Sequence, residues 1–192
     1  MGFAAGPIVA GPSSELYGRR VVYTVSAILY TAFVAGVCWA PNAPALLVFR
    51  FLAGFCGSAA INNVPATVAD ITTLEERTIY SIPYAVMAFG GPSVGPLCSN
   101  FIQTAAGIEW NFRVSFIYTA LTSLAVAFVP ETHGPTILKR RLARQGAAVE
   151  RPTLSQVANT YMIALKRPVG FMFLEPVVTL VCVYLSLLYG IL

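Results

Sequence analysis

Long apolar stretches alternate with short polar segments along this chain. Four stretches cover residues 21–40, 45–66, 80–102 and 112–129, and a fifth covers 171–192. At about 1.5 Å per residue, a helix over each of them is long enough to cross the roughly 30 Å of a bilayer's hydrocarbon core. Residues 2–14 are equally apolar, but a helix over them rises only about 20 Å. The pattern predicts an all-α, polytopic membrane helix bundle with five full spans and part of a sixth.

The composition favours a membrane protein over a soluble one. Hydrophobic residues make up 57% of the chain, and Asp, Glu, Lys and Arg together only 10%, whereas charged residues form roughly a quarter of a soluble domain. The lipid bilayer is therefore the expected main partner. The net charge of +4 does not indicate a nucleic-acid partner, because the basic residues lie in the gaps between apolar stretches and not among aromatic residues.

Basic residues also predict the orientation, since they concentrate on the cytoplasmic side of membrane proteins. Segments 11–20, 67–79 and 130–170 hold ten of them, whereas the opposite side holds only Arg113 and the membrane interior only Arg50. These three segments are therefore expected to be cytoplasmic. Within the last one, residues 136–144 have the pattern of a short basic amphipathic helix. Two alternatives stay open for it: contact with the anionic inner leaflet, or an ordinary solvated loop.

No pattern of catalytic residues is present in the sequence. It contains no Gly-x-Ser-x-Gly nucleophile turn, no phosphate-binding Gly-x-x-x-x-Gly-Lys and no His/Cys/Asp set with metal-ligand spacing. The four cysteines lie within apolar stretches and form no Cys-x-x-Cys pair, so they are interpreted as packing residues. Neither an enzyme activity nor a cofactor or metal ion is expected.

Arg50 is the most unusual residue, because a charge within an apolar helix is costly and normally faces a water-filled path or a counter-charge. The alternative is that its long side chain reaches the outer headgroups. Asn62 and Asn63, further along the same helix, either face a polar lumen or form hydrogen bonds between helices.

Two further features suggest a conformational role. The run Gly91-Pro92-Ser93-Val94-Gly95-Pro96 interrupts the middle of the 80–102 span, where its two prolines remove intrahelical hydrogen bonds. Asp70, past the end of the 45–66 span, is placed to meet Arg19 or Arg20 across the inner surface. Such an ion pair contributes only about 0–1 kcal/mol if it is fully exposed, and it matters as a switch only if it is partly buried.

Four segments, in order along the chain, resemble motifs of the major facilitator superfamily, and in particular of its fungal drug:proton antiporters. They are 11–20, 50–54, 91–96 and 130–141. The resemblance implies two six-helix halves that give alternating access to a central site. It implies proton coupling or substrate binding for Arg50. Asn62 and Asn63 are candidates for the same role if they face the polar lumen. The resemblance also implies that the moving helix is shaped by Gly91, Pro92, Gly95 and Pro96, and that a cytoplasmic charge network is formed by Gly11, Glu15, Gly18, Arg19, Arg20 and Asp70.

The chain departs from the family's motifs at four positions. Glu15 stands where aspartate is usual, and Leu16 stands where a basic residue is usual. Ser99 and Asn100 stand where two glycines follow the fifth-helix motif, so they add side chains to a face that is closely packed in the family.

By this resemblance, the chain divides into three parts. Residues 1–129 are an incomplete N-terminal half, from the end of its second helix to its sixth; 130–170 are the central cytoplasmic loop; and 171–192 are the truncated first helix of the C-terminal half. The implied function is proton-coupled efflux of drugs, polyamines or secondary metabolites across the plasma membrane. As a fragment, the chain is expected to transport nothing by itself. The alternative is a non-transporting membrane protein that associates with a full-length transporter.

Overall fold

The computed structural model describes residues 2–145, 161–163, 166, 170 and 176–191. It does not describe the side chains of residues 62, 139, 140, 143, 144, 178 and 188–191. Within the described residues the chain forms seven α-helices and no β-strand. The helices are α1 (Gly2–Tyr17), α2 (Arg19–Cys38), α3 (Ala43–Ile71), α4 (Arg77–Ala106), α5 (Ile108–Ala127), α6 (Gly134–Arg144) and α7 (Pro176–Ile191).

The chain divides into two compact units, Met1–Glu150 and Arg151–Leu192. The first unit holds α1 to α6, and the second holds α7. In the first unit, α3 lies at the centre of the packing, with α1 and α2 as its main neighbours and α4 as a lesser one. The outer helix α5 packs mainly on α2 and also on α4. Short connections make sequential neighbours antiparallel, as is usual in helix bundles.

The connection between α1 and α2 is much tighter than the sequence suggested. Segment 11–20 was expected to form a polar loop, but α1 continues to Tyr17 and α2 begins at Arg19, so only Gly18 lies outside a helix. Its backbone angles, φ 93° and ψ 155°, fall in a region that is open essentially to glycine alone. A polar residue at a helix end continues the helical hydrogen bonds as readily as an apolar one, and hydropathy therefore misplaced this boundary.

The connection between α3 and α4 is also shorter than expected. The span 45–66 and the loop 67–79 become a helix that begins at Ala43 and ends at Ile71, followed by only five residues before α4. Pro44 lies in the first turn of α3, where its missing N–H has no intrahelical partner to lose. At about 1.5 Å per residue, the 29 residues of α3 extend for about 43 Å, beyond the hydrocarbon core of a bilayer.

The glycine–proline run does not break α4, contrary to the expectation of an interruption. The helix is continuous from Arg77 to Ala106, with Pro83, Pro92 and Pro96 inside it. Each proline removes one backbone hydrogen bond, and the bonds of the flanking residues maintain the helix. No residue of α4 is buried.

The apolar side chains of the helices lie mainly on the outer surface of the bundle. The buried hydrophobic residues among those described are only Val37, Ala53 and Ala59, whereas large apolar side chains are exposed along every helix. Two helices, Arg19–Cys38 and Ala43–Ile71, are long and apolar enough by themselves to cross a membrane. Exposure of such an apolar surface to water costs free energy, whereas its exposure to lipid does not.

Candidate functional site

A partly buried ion pair joins α2 to α3 at one end of the bundle. The Arg19 Nε donates to the Asp70 Oδ2 at 2.7 Å, and the two side chains are 8% and 31% exposed. Arg19 begins α2 and Asp70 lies in the last turn of α3, so each charge lies at the unfavourable end of its own helix dipole. The mutual attraction offsets both penalties. We call the part of the bundle around this pair, where α1, α3 and α5 end and α2 begins, the charged end.

Glu131 is the third charged group of the charged end, and the sequence analysis did not assign it a role. Its Oε1 accepts hydrogen bonds from the backbone N–H groups of Arg19 at 3.0 Å, Arg20 at 3.4 Å and His133 at 3.1 Å. The first N–H groups of a helix have no intrahelical partner, and Gly18 has no side chain to cap them. A carboxylate 112 residues away along the chain therefore caps α2 and complements its dipole.

Gly18 makes this close approach possible. A Cβ atom at this position would lie 2.6 Å from the Glu131 Oε2 and 3.1 Å from the Thr136 Cγ2. The Glu131 Oε2 is buried and has no hydrogen-bond partner among the described residues. The absence of a side chain at residue 18 thus leaves room for the 131–136 segment, which the hydrogen bonds of Glu131 hold against the start of α2.

The other residues of the expected charge network are placed differently. Arg20 does not meet Asp70; its Nη2 donates to the backbone oxygen of Ala127, at the end of α5, at 3.2 Å. The backbone oxygen of Gly11 accepts a hydrogen bond from Ser14 within α1. The Glu15 carboxylate is exposed and forms no ion pair with the described basic side chains. The charged end therefore connects α2 to the ends of α3 and α5 through Arg19, Arg20, Asp70 and Glu131.

A cavity of about 580 Å³ lies within the bundle, between α2, α3 and α5, with Phe3 of α1 at its wall. Its lining combines aromatic rings, one charge and many hydroxyl groups. The hydroxyl-bearing residues are Tyr23, Ser26 and Tyr30 of α2 and Ser115, Thr119, Thr122 and Ser123 of α5. A concave apolar site with a few polar groups is the usual form of a small-molecule site.

Arg50 is the charged residue of the cavity wall. Its guanidinium carbon lies 5.7 Å from the centre of the Phe112 ring, within the range of a cation–π contact. No carboxylate of the described residues forms an ion pair with it. Arg50 is exposed as well as part of the cavity wall, so both alternatives for it, a polar path and contact with the outer headgroups, stay open.

Hydroxyl groups also join the helices around the cavity. The Thr31 and Ser123 hydroxyls lie 2.5 Å apart, and Ser123 donates to the backbone oxygen of Ala27 at 2.9 Å, so α2 and α5 are linked side by side. On the other side of α2, the Tyr23 hydroxyl lies 3.1 Å from the Thr67 hydroxyl of α3. Such bonds are a main source of helix association within lipid.

Asn63 lies away from the cavity wall. It is 1% exposed, and its Nδ2 has no partner among the described residues. Asn63 is thus packed inside the bundle, but its Nδ2 does not form, with any described residue, the hydrogen bond between helices that the second alternative requires. The side chain of Asn62 lies outside the described part of the chain.

The glycine–proline residues of α4 form an open face. A Cβ atom at Gly91 or Gly95 would meet no other group within 4 Å, and Pro92 and Pro96 are likewise exposed. One turn further on, Ser99 accepts a hydrogen bond from the Asn111 Nδ2 of α5 at 2.7 Å. One of the two side chains that depart from the family's motif thus contributes to the contact between α4 and α5.

These features, a helical bundle with an apolar exterior, a polar cavity and a charged end, are those of a membrane transporter. The model of the Major Facilitator Superfamily matches residues 1–192, and the chain belongs to this family. The all-α membrane fold is thereby confirmed, and a transporter family agrees with the expectation that the chain is not an enzyme.

Three curated relatives illustrate the similarity. The efflux pump FUBT of Fusarium oxysporum is 36% identical over 99% of this chain, which corresponds to 34% of FUBT. Polyamine transporter 2 of Saccharomyces cerevisiae is 34% identical over 98% of the chain and 32% of its own length. Multidrug transporter TPO3 of Candida glabrata is 33% identical over 98% of the chain and 31% of its own length. The chain thus spans about a third of the length of these relatives. No solved structure matches it.

Proposed function

We propose that this chain forms part of a proton-coupled transporter of the plasma membrane that exports small organic compounds by alternating access. The observation that carries the proposal is the partly buried Arg19–Asp70 pair, together with the Glu131 cap. These contacts join the start of α2 to the end of α3 and to the segment that follows α5, on one side of the cavity. Motion that opens this side must break them, so they stabilise the state that is closed there.

The charged end faces the cytoplasm in this proposal. Arg19, Arg20 and Arg77 lie at this end of the bundle, and basic residues accumulate on the cytoplasmic side of membrane proteins. Closure of the charged end then corresponds to the outward-facing state, in which an exported compound leaves.

The cavity is the proposed binding site, and Arg50 is its coupling residue. An arginine keeps its proton in proteins, so Arg50 does not itself carry the coupled proton. It acts through its charge, by favouring an anionic group of the substrate or the deprotonated form of a nearby acid. The open glycine–proline face, Gly91, Pro92, Gly95 and Pro96, gives α4 a smooth surface that can slide against another part of the transporter.

The experiment that tests this proposal is a chimera in which these 192 residues replace the aligned segment of FUBT. The chimera is expressed in yeast that lacks its own drug and polyamine exporters, and the energy-dependent loss of a panel of preloaded compounds is measured. We expect efflux by the chimera, its loss with Arg50→Gln, and its retention with Arg113→Gln, which removes a charge outside the cavity. A chimera that reaches the plasma membrane but exports nothing would contradict the proposal. The 192-residue chain expressed alone is expected to export nothing, since alternating access requires two halves around the site.

A second candidate function is association with a full-length transporter, without transport by this chain. The absence of any buried residue in α4 favours it, because a membrane helix whose small residues are uncovered is suited to pack against another helix. Co-purification of the chain with a full-length relative, abolished by Gly91→Leu, is the expected result. A monodisperse monomer in detergent that fails to co-purify argues against this candidate.

A further inference from the structure

The helix α6 has an exposed apolar face that no other described part of the first unit covers. Leu138 and Leu142 lie one turn apart on the same side of the helix, and their side chains are 58% and 40% exposed. The helix also contains four basic residues and no acidic one. It is the most amphipathic of the described helices.

The basic positions surround the leucine face in the helical register. At roughly 100° per residue, positions 139 and 141 lie about 80° to either side of the line through Leu138 and Leu142. Positions 140 and 144 lie on the opposite half of the helix. Arg141 is exposed. An apolar strip with a cation on each flank is the pattern of helices that lie in the plane of a bilayer surface.

The start of α6 is held at the level where the spanning helices end. Glu131 binds the backbone of Arg19 and Arg20 at the start of α2. His133 Nδ1 lies 2.8 Å from the Thr136 hydroxyl within the first turn of α6. Thr136 in turn lies beside Gly18, where its Cγ2 would be 3.1 Å from an added Cβ. These contacts place the start of α6 beside the start of α2, at the charged end.

We propose that α6 lies on the bilayer at the charged end, with Leu138 and Leu142 among the acyl chains and the flanking Lys139 and Arg141 at the anionic headgroups. Charge complementarity selects this occupant. A positively charged helix is attracted to an anionic leaflet and a solvated loop would gain nothing from two exposed leucines on one face. This inference does not depend on transport, because it concerns a contact that exists whether or not the cavity binds a substrate.

The test uses the full chain in lipid nanodiscs, with Leu142→Trp as a fluorescent probe in a Trp39→Phe, Trp110→Phe background. Nanodiscs of phosphatidylcholine are compared with nanodiscs that also contain phosphatidylserine, each with and without brominated acyl chains. We expect blue-shifted emission that the brominated lipid quenches, more strongly with phosphatidylserine. Replacement of Lys139, Arg140, Arg141 and Arg144 by glutamine should remove the preference for phosphatidylserine. Each lost charge is expected to lower the equilibrium constant for contact between α6 and the anionic lipid surface by about fivefold. The matched control Arg77→Gln, Arg113→Gln leaves it unchanged.

Three results would overturn the proposal. Emission at the wavelength of a water-exposed indole, unquenched in either lipid, means that α6 is solvated. Blue-shifted emission without quenching by brominated lipid means that protein covers the leucine face instead. Equal quenching with and without phosphatidylserine means that the headgroup charge plays no part. Leu138→Trp, measured in the same way, guards against a local effect of the probe, because it lies on the same face.

Discussion

The Arg19–Asp70 pair provides the sharpest test of the charged end. Asp70→Asn keeps the shape of the side chain and removes its charge, so Arg19 is left nearly buried without a counter-charge. An exposed ion pair contributes about 0–1 kcal/mol, whereas loss of one partner of a fully buried pair costs about 3–5 kcal/mol. Because Arg19 is 8% and Asp70 31% exposed, the pair lies between these limits. We expect a cost of about 2 kcal/mol, or about thirtyfold in the folding equilibrium.

A double-mutant cycle separates this interaction from other effects of the substitutions. The free energy of unfolding of the chain in mixed micelles is measured by SDS titration for Asp70→Asn, Arg19→Gln and the double variant. The coupling energy between the two sites is the quantity of interest. The chain offers a matched control in Glu109 and Arg113, an i,i+4 pair at 3.1 Å whose side chains are 79% and 49% exposed. Such a pair is worth about 0.3–0.5 kcal/mol. A coupling energy for Arg19 and Asp70 no larger than that of the control pair refutes the reasoning.

Three further substitutions test the packing around the charged end and the cavity. Gly18→Ala is expected to destabilise the chain by at least about 1–3 kcal/mol, because φ 93° is strained for alanine and the new Cβ meets Glu131. Gly90→Ala, at an open helix position, is the control and should be neutral or stabilising by up to about 1 kcal/mol. If SDS titration shows that both substitutions change the free energy of unfolding with the same sign, the prediction is wrong. Glu131→Gln is expected to weaken the cap of α2 by about 1 kcal/mol. The backbone amides of Arg19 and Arg20 should then exchange their hydrogens faster in a hydrogen-exchange measurement. Unchanged exchange rates argue against the cap. Ser123→Ala removes two hydrogen bonds between α2 and α5 and should cost about 1–2 kcal/mol, whereas Ser115→Ala, whose hydroxyl bonds only within α5, should cost less in the same titration.

The sequence predicted the helical class and the order of the helices, because hydropathy along the chain reports which residues lipid can cover. It misplaced the ends of α1, α3 and α4. A helix continues as long as its backbone hydrogen bonds do, and neither the polar residues after Ala10 nor Pro92 and Pro96 were enough to end one. Hydropathy indicates which residues can lie in the hydrocarbon core of a bilayer, and it does not indicate where the helix begins or ends.

The site was only partly predictable for a different reason. Asp70 was expected near Arg19 or Arg20 because all three lie next to the ends of adjacent apolar stretches. Selection of Arg19 over Arg20 depends on the direction in which α2 leaves Gly18, which no local pattern contains. Glu131 is an acid that follows the 112–129 span, on the predicted cytoplasmic side. The start of α2, which has no capping side chain, lies on the same side. That combination was visible in the sequence, and it could have indicated a cap.

Efflux by the FUBT chimera carrying Asp70→Asn tests the proposed role of the charged end most directly. The chimera with Glu109→Gln, which removes an exposed carboxylate outside the charged end, serves as the matched control. With equal amounts of both proteins in the plasma membrane, we expect Asp70→Asn to lose most of the efflux and Glu109→Gln to retain it. Efflux that is the same for the two variants would show that the Arg19–Asp70 pair does not control access to the cavity.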